Sequence, residues 1–384
     1  MLVIVNAITA KNKTGGAFQV VLNFVRQTKL TPNGIRWGYF LSEDVYQVIK
    51  DEFVESDLVF VFPTQPDFKH TYYSVKKKLN RLEDEIKPDL IYTITAPSYF
   101  RFRTKEVLRF TNPWVTHPNK FAWRVRTLRQ RVEMSAYIIL QKLLIKRAKW
   151  FVTQTEQAKT GLLSITHLPQ DHVAVIPNVL PASYSNVSRK RVEVGDGNWH
   201  VISVSAPIIH KNLDIIPSVL DVLVNKYGIN RIRFHLTLPE DSYVYKTIKL
   251  ELDKLGLASY IINHGRCTQA ELAELYRQSD LAFLPTLLEV FSVSSLEAMF
   301  FHLPIVTTDF DFNREVDGDA ALYYIPTNSS HAADCIMRVL EDEDLRMRLV
   351  SAGDRRLCQF ADYEAHYSST VDFLKIVYKH GSNV

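Results

Sequence analysis

At 384 residues the chain is longer than one hydrophobic core usually supports, so two domains are expected. A composition of 46% hydrophobic and 23% charged residues is that of an ordinary folded globular protein and excludes a disordered chain. The net charge of +4 divides into +11 through residue 180 and −7 beyond it, and the three cysteines show no metal-ligand spacing, which predicts a reduced, cytosolic protein without structural zinc.

"MLVIVNAI" is too short to span a bilayer and lacks the basic lead of a secretory signal, so it reads as a first buried strand. Short apolar runs then alternate with helical patterns. "LVFVFP", "DLIYTI" and "WFVTQT" follow in the first half, and "VISVSA", "RFHLTL", "YIINHG", "DLAFLP" and "PIVTTD" in the second. Strand, helix, strand order implies parallel sheets, hence two Rossmann-like α/β domains facing across a cleft. The first domain is expected over residues 1–180. A seam rich in Pro, Ser, Asn and Gly, residues 181–198, reads as the linker. Residues 199–362 form the second domain, and 363–384 a final helix that packs back on the first. No internal repeat or low-complexity tract is visible.

From Arg101 to Trp150 there are 13 basic residues against two acidic ones. Within it, Arg124, Arg126, Arg129 and Arg131 mix with apolar and aromatic groups, which suits an anionic membrane surface; a solvated helix face has the same composition. No RRM, KH or zinc-finger signature supports nucleic acid as a partner.

Glu289 and Glu297 stand eight positions apart in "LLEVFSVSSLEAMFF". Ser294 and Glu297 have the S-x-x-E spacing of a capping box, in which the carboxylate would serve only to close a helix end. That leaves Glu289 unexplained. "DLAFLPT" reads as a strand ended by Pro285 and "SLEAMFF" as the start of a helix, so Glu289 falls in a loop at the carboxyl end of a strand, where open α/β sheets bind ligands. The following helix N-terminus suits a diphosphate. Two carboxylates flanking such an anion accept hydrogen bonds from hydroxyls on either side of it, and a nucleotide sugar offers both.

These residues resemble the E-x7-E signature of retaining GT-B glycosyltransferases of family 4. The resemblance extends to "TGGAFQVVLNFV", "FVTQTEQAKTGLL", "VAVIPNVL", "HKNLDIIP" and "PIVTTDFDFNREVDGDAALYYIP", and is greatest to members that build bacterial surface polysaccharides such as O-antigen. It implies that Glu297 binds ribose hydroxyls and that Glu289 contacts the donor sugar. Backbone N–H groups around Phe291, Ser292 and Val293 would hold the diphosphate. Lys211 would place its ammonium on the phosphates, Gly15 and Gly16 would let the first-domain backbone approach the donor, and His117 would face the donor sugar.

Two departures stand out. Val290 replaces a common glycine, and Ala206 stands where many members carry an arginine, for which Arg266 is the candidate replacement. The implied reaction transfers a sugar from a nucleotide diphosphate donor to a hydroxyl of a lipid-linked saccharide with retained configuration. It needs no metal and no cofactor, and it takes place at the inner face of the cytoplasmic membrane. The rival reading is a non-catalytic GT-B scaffold that binds membrane or nucleic acid. An epimerase would need a differently placed acid/base pair, and a pyridoxal-type phosphorylase a cofactor lysine that the sequence does not identify.

Overall fold

The structure, a computed structural model, describes residues 1–11, 16–31, 33–64 and 70–380. It divides into two compact units. The first comprises Met1–Thr116, Glu133–Ile176 and Glu364–Val384, the second His117–Val132 and Pro177–Tyr363.

The first unit is built on seven parallel strands: β1 (Leu2–Ala7), β2 (Arg36–Ser42), β3 (Leu58–Phe62), β4 (Leu90–Thr93), β5 (Glu106–Arg109), β6 (Trp150–Thr153) and β7 (Val173–Val175), in the order β3-β2-β1-β4-β5-β6-β7. Side chains alternate across the sheet, so Val3 and Val5 enter one core while Ile4 enters the other. The helix Gly16–Leu30 covers the first face with Phe18, Val21, Leu22 and Val25. Beside it lies the C-terminal helix Tyr363–Lys379, which buries Tyr367, Val371, Leu374 and Val377 at helical spacing and accepts a 2.6 Å bond from Asn33 at the Tyr367 hydroxyl.

The second unit holds six parallel strands: β8 (Trp199–Ser203), β9 (Ile232–Leu236), β10 (Ile261–Asn263), β11 (Leu281–Leu284), β12 (Ile305–Thr308) and β13 (Ala321–Tyr324), ordered β10-β9-β8-β11-β12-β13. Val201, Phe234 and Phe283 face one core, Ile202, Ala282 and Ile305 the other. The order reverses between β8 and β11. This switch point leaves a crevice at the strands' carboxyl ends.

Two segments lie differently from the sequence expectation. Residues 181–198 are not a loose linker: Tyr184 is buried in the second unit's core, the Val192 N–H donates to the Arg277 carbonyl (2.9 Å), and Arg189 pairs with Asp354 at 2.9 Å. His117–Val132 packs with the second unit although it interrupts the first in sequence.

Candidate functional site

The loops after β8 and β11 meet at the switch point of the second sheet. After β8 the chain makes a tight 3-10 turn, Ile209–Lys211, ended by Asn212 at φ +57, a left-handed conformation that asparagine tolerates better than most residues. The turn delivers the Lys211 ammonium onto the carboxylate of Glu289, in the loop after β11. Both side chains are about four-fifths buried, at 19% and 21% exposure. Burial pulls the Lys211 pKa down to about 8.

The β11 loop is held by side chains at consecutive carbonyls. Ser203 donates to the carbonyl of Phe283, Thr307 to Leu284, Asn212 to Pro285, Thr308 to Thr286, Asn119 to Leu287, Thr286 to Leu288 and His117 to Glu289. The Leu287 N–H in turn donates to the His210 carbonyl, tying this loop to the lysine turn at 2.8 Å. A buried carbonyl without a donor costs free energy. Filling all seven fixes the path of the loop and so the positions of Glu289 and the amides after it. Val290 and Phe291 are buried, and Val290 is not among the residues at positive φ, so this loop makes its turn without glycine.

The helix that follows runs Val293–Phe300 with Ser292 as N-cap, in extended conformation, but the Ser292 side chain makes no capping bond. The capping box suggested by Ser294 and Glu297 is therefore not formed. Ser294 points its hydroxyl at the Val204 carbonyl (3.3 Å), and Glu297 lies in the helix interior, 5% exposed. Its two carboxylate oxygens accept one bond each, from the Tyr184 hydroxyl at 3.1 Å and the Tyr276 hydroxyl at 3.0 Å. Burial pushes the Glu297 pKa up to about 7 although both tyrosines stabilise the anion. The sequence reading missed both tyrosines.

His117 is half-buried, and its Nε2 lies 2.6 Å from the Glu289 carbonyl. A carbonyl only accepts, so Nε2 carries the proton, and burial lowers the pKa to about 4, keeping the ring neutral. Gly15 lies outside the described residues. Gly16 opens the helix Gly16–Leu30 without a positive φ, and a Cβ there would meet no atom within 4 Å. Arg266 is exposed in the loop after β10, and no bond joins it to Lys211 or Glu289 among the described residues.

The four basic residues assigned to a membrane face separate. Arg124 and Arg129 are exposed. The Arg131 guanidinium donates to the carbonyls of Trp123, Arg126 and Arg124 at 3.1, 3.0 and 3.3 Å, closing the short helix Lys120–Arg124. Arg126 is half-buried; burial depresses the pKa of His210, and the charges of Lys211 and Arg126 add to that fall.

Comparison with known proteins agrees with this arrangement. Residues 186–356 match the family of glycosyl transferases, group 1. An uncharacterized glycosyltransferase of Methanocaldococcus jannaschii is 21% identical over 59% of this chain; the match spans 59% of that relative's length. Anabaena HepE, solved with UDP and glucose, superposes with a TM-score of 0.70 at 16% identity, covering 97% of this chain and 99% of its own. WaaG, a glycosyltransferase involved in lipopolysaccharide biosynthesis, does so with a TM-score of 0.68 at 12% identity, over 97% and 99%. Over residues 186–356 the chain is thus similar to glycosyl transferases, group 1, and its fold is that of GT-B glycosyltransferase structures.

Proposed function

We propose that this protein is a retaining glycosyltransferase of family 4, moving a sugar from a nucleotide diphosphate donor to a hydroxyl of a lipid-linked saccharide during assembly of a bacterial surface polysaccharide. The observation that carries the reading is the pairing of Lys211 with Glu289 at the switch point, beside the uncapped helix Val293–Phe300 whose interior holds Glu297. The helix N-terminus receives the diphosphate through the amides of Phe291, Ser292 and Val293. Lys211 counters the charge that grows as the phosphate leaves. Glu289 then orients the donor sugar, and Glu297, aimed by Tyr184 and Tyr276, accepts from the ribose hydroxyls. His117 holds the Glu289 loop from the side of the sugar. Attack on the face of departure lets the leaving phosphate oxygen take the acceptor proton, so the chain supplies positioning and electrostatics, without a metal or cofactor.

The acceptor side of the reading rests on the helix Leu128–Ile145. Leu128, Val132, Ile139 and Leu143 are exposed on it, next to exposed Arg129, Lys146 and Arg147. Among the described residues no helix is long and apolar enough to cross a membrane. A helix that is apolar and basic on its open side suits adsorption to an anionic leaflet, where a lipid-carried acceptor would be met.

The test is a thermal-shift screen with UDP, GDP, dTDP and ADP. A ligand at about 100 times its Kd adds roughly 2.7 kcal/mol, so one nucleotide should raise the melting temperature clearly. Incubation with the matching nucleotide sugars should then release free sugar slowly without acceptor. No shift with any of the four, and no hydrolysis, would leave only the scaffold reading.

A further inference from the structure

Three histidines stand side by side on one face of the second sheet: His200 on β8, His235 on β9 and His264 just after β10. They are joined ring to ring. The His200 Nδ1 lies 2.8 Å from the His235 Nε2, and the His235 Nδ1 lies 2.9 Å from the His264 Nε2. Asp196 closes one end of the line, with its Oδ1 at 3.1 Å from the His200 Nε2. Asn198 donates to Asp196 through its backbone N–H (2.9 Å) and its side-chain amide (2.8 Å), which holds the carboxyl well below the usual carboxylate range, so Asp196 only accepts.

That one carboxylate settles the proton on every ring. His200 donates from Nε2 and, as a neutral imidazole, accepts at Nδ1; His235 then donates from Nε2 and accepts at Nδ1, and His264 donates from Nε2. Each gap in the line holds one proton, and the nitrogen left over is the Nδ1 of exposed His264. A first additional proton enters there without disturbing a bond. A second finds a lone pair only inside a gap, where two N–H groups would then face each other at 2.8 or 2.9 Å. Burial, to which the neighbouring His200 and His264 add, lowers the His235 pKa to about 4, and burial lowers that of His264.

The line joins two elements that reach Glu297. Asp196 belongs to the segment 181–198, which supplies Tyr184, and His264 opens the loop into the helix Gln269–Arg277, which supplies Tyr276. The two are also clasped at Arg277, whose carbonyl accepts from the Val192 N–H and whose Nε donates to the Lys190 carbonyl, both at 2.9 Å. The other charged groups on the elements around the line have partners of their own. Asp280 accepts from the His200 N–H at 2.8 Å and pairs with Arg191, Arg346 lies over the Trp199 ring, and Arg233, on the same face of β9, donates to the Ile232 carbonyl. Glu271 is closed in a capping box with Thr268, and Glu274 pairs with Arg277 at 2.7 Å. Arg266 and Cys267, in the His264 loop, make no bond to the imidazole among the described residues.

We propose that Asp196, His200, His235 and His264 form a one-proton latch: the line holds the segment 181–198 and the loop before the helix Gln269–Arg277 to the sheet, admits one added proton, and opens when a second enters, loosening the two tyrosine supports of Glu297. The latch is a property of the fold and stands whatever ligand the site takes. Unfolded, the three imidazoles each take a proton below about pH 6.5, whereas the closed line takes one in all. In acid the native protein therefore binds fewer protons than the unfolded one, and its stability falls as pH drops through that range.

Nitrogen NMR of the full chain labelled at its histidine rings reads the line directly. At about pH 7.5 all three rings should carry their proton on Nε2, and acidification should protonate His264 first and alone. Asp196→Ala, which removes the acceptor that sets the direction, should mix the tautomers. Hydrogen exchange then reads the latch. In the native protein the amides of 184–198 and 264–277 should open about tenfold more for each pH unit below the entry of the second proton, ahead of the rest of the unit. His235→Gln, which keeps a donor and an acceptor but takes no proton, should stay protected there at about pH 4. A proton on Nδ1 of His235 or His264 at neutral pH, three rings titrating independently, acid opening spread evenly over the unit, or equal opening in the native protein and His235→Gln overturns the latch. If the glutamine variant does not fold, the tautomers and the order of protonation in the native protein decide alone.

Discussion

Replacing Glu297 by glutamine should make the protein more stable and its nucleotide binding weaker, and the stability gain should depend on pH. Burial raises the Glu297 pKa from 4.5 to about 7. At about 1.4 kcal/mol per pH unit, this amounts to roughly 3 kcal/mol. Because the folded pKa lies above the unfolded one, the folded chain keeps a proton between about pH 4.5 and 7 that the unfolded chain has released. Native stability therefore falls as pH rises through that window, and the full penalty is present above it. Glutamine escapes the penalty but loses one acceptor oxygen for Tyr184 or Tyr276, at about 1 kcal/mol. Glu297→Gln should thus be more stable than the native protein by roughly 2 kcal/mol at pH 8, or about 4–8 °C in Tm for a domain of this size, with the advantage gone near pH 4.5. Thermal unfolding of both proteins at pH 4.5, 6 and 8 gives the comparison. A difference that does not change with pH, or a native protein that is the more stable at pH 8, would refute the assignment of a buried, strained carboxylate.

Two further outcomes are expected. Lys211→Ala should fold, since water reaches the partly exposed Glu289 it leaves behind, but should lose turnover by about 100-fold or more; native activity should decline above about pH 8 as the ammonium loses its proton, and a flat profile to pH 9.5 with near-native turnover in the variant would remove Lys211 from the reaction. Ile139→Ser together with Leu143→Ser should reduce co-sedimentation with anionic liposomes without changing nucleotide affinity, and native binding should fade with salt as charges are screened beyond about 8 Å; equal pelleting with neutral vesicles would return the helix to a solvated face.

Much of the fold was legible because a doubly wound sheet buries its strands on both faces, and "LVIVNAI", "LVFVFP" or "DLAFLP" then stand out as unbroken apolar runs. Four strands escaped: β2, which begins at Arg36, β5, bounded by Glu106 and Arg109, β7, with only three residues, and β13 (Ala321–Tyr324), with only four. The Glu289 loop was found from its position between a strand and a helix. Glu297 illustrates the limit of spacing: S-x-x-E is two residues out of phase with the real N-cap, Ser292, and the Ser294 hydroxyl donates to the Val204 carbonyl instead of capping the helix. Tyr184 and Tyr276 had no local signal. One sits in a seam that looked like a linker, and the other at an ordinary apolar position of a helix.

The row of seven carbonyls from Phe283 to Glu289 bears on attempts to redesign this protein. The donors come from positions as far apart in sequence as 117 and 308, so the loop's shape is encoded mostly outside the loop. Transplanting residues 285–292 from a relative to change the sugar used would import a backbone without its supports, and moving this loop elsewhere would abandon them. A workable chimera must carry His117, Asn119, Ser203, Asn212, Thr307 and Thr308 along with the loop, or restrict its changes to side chains that leave those carbonyls where they are.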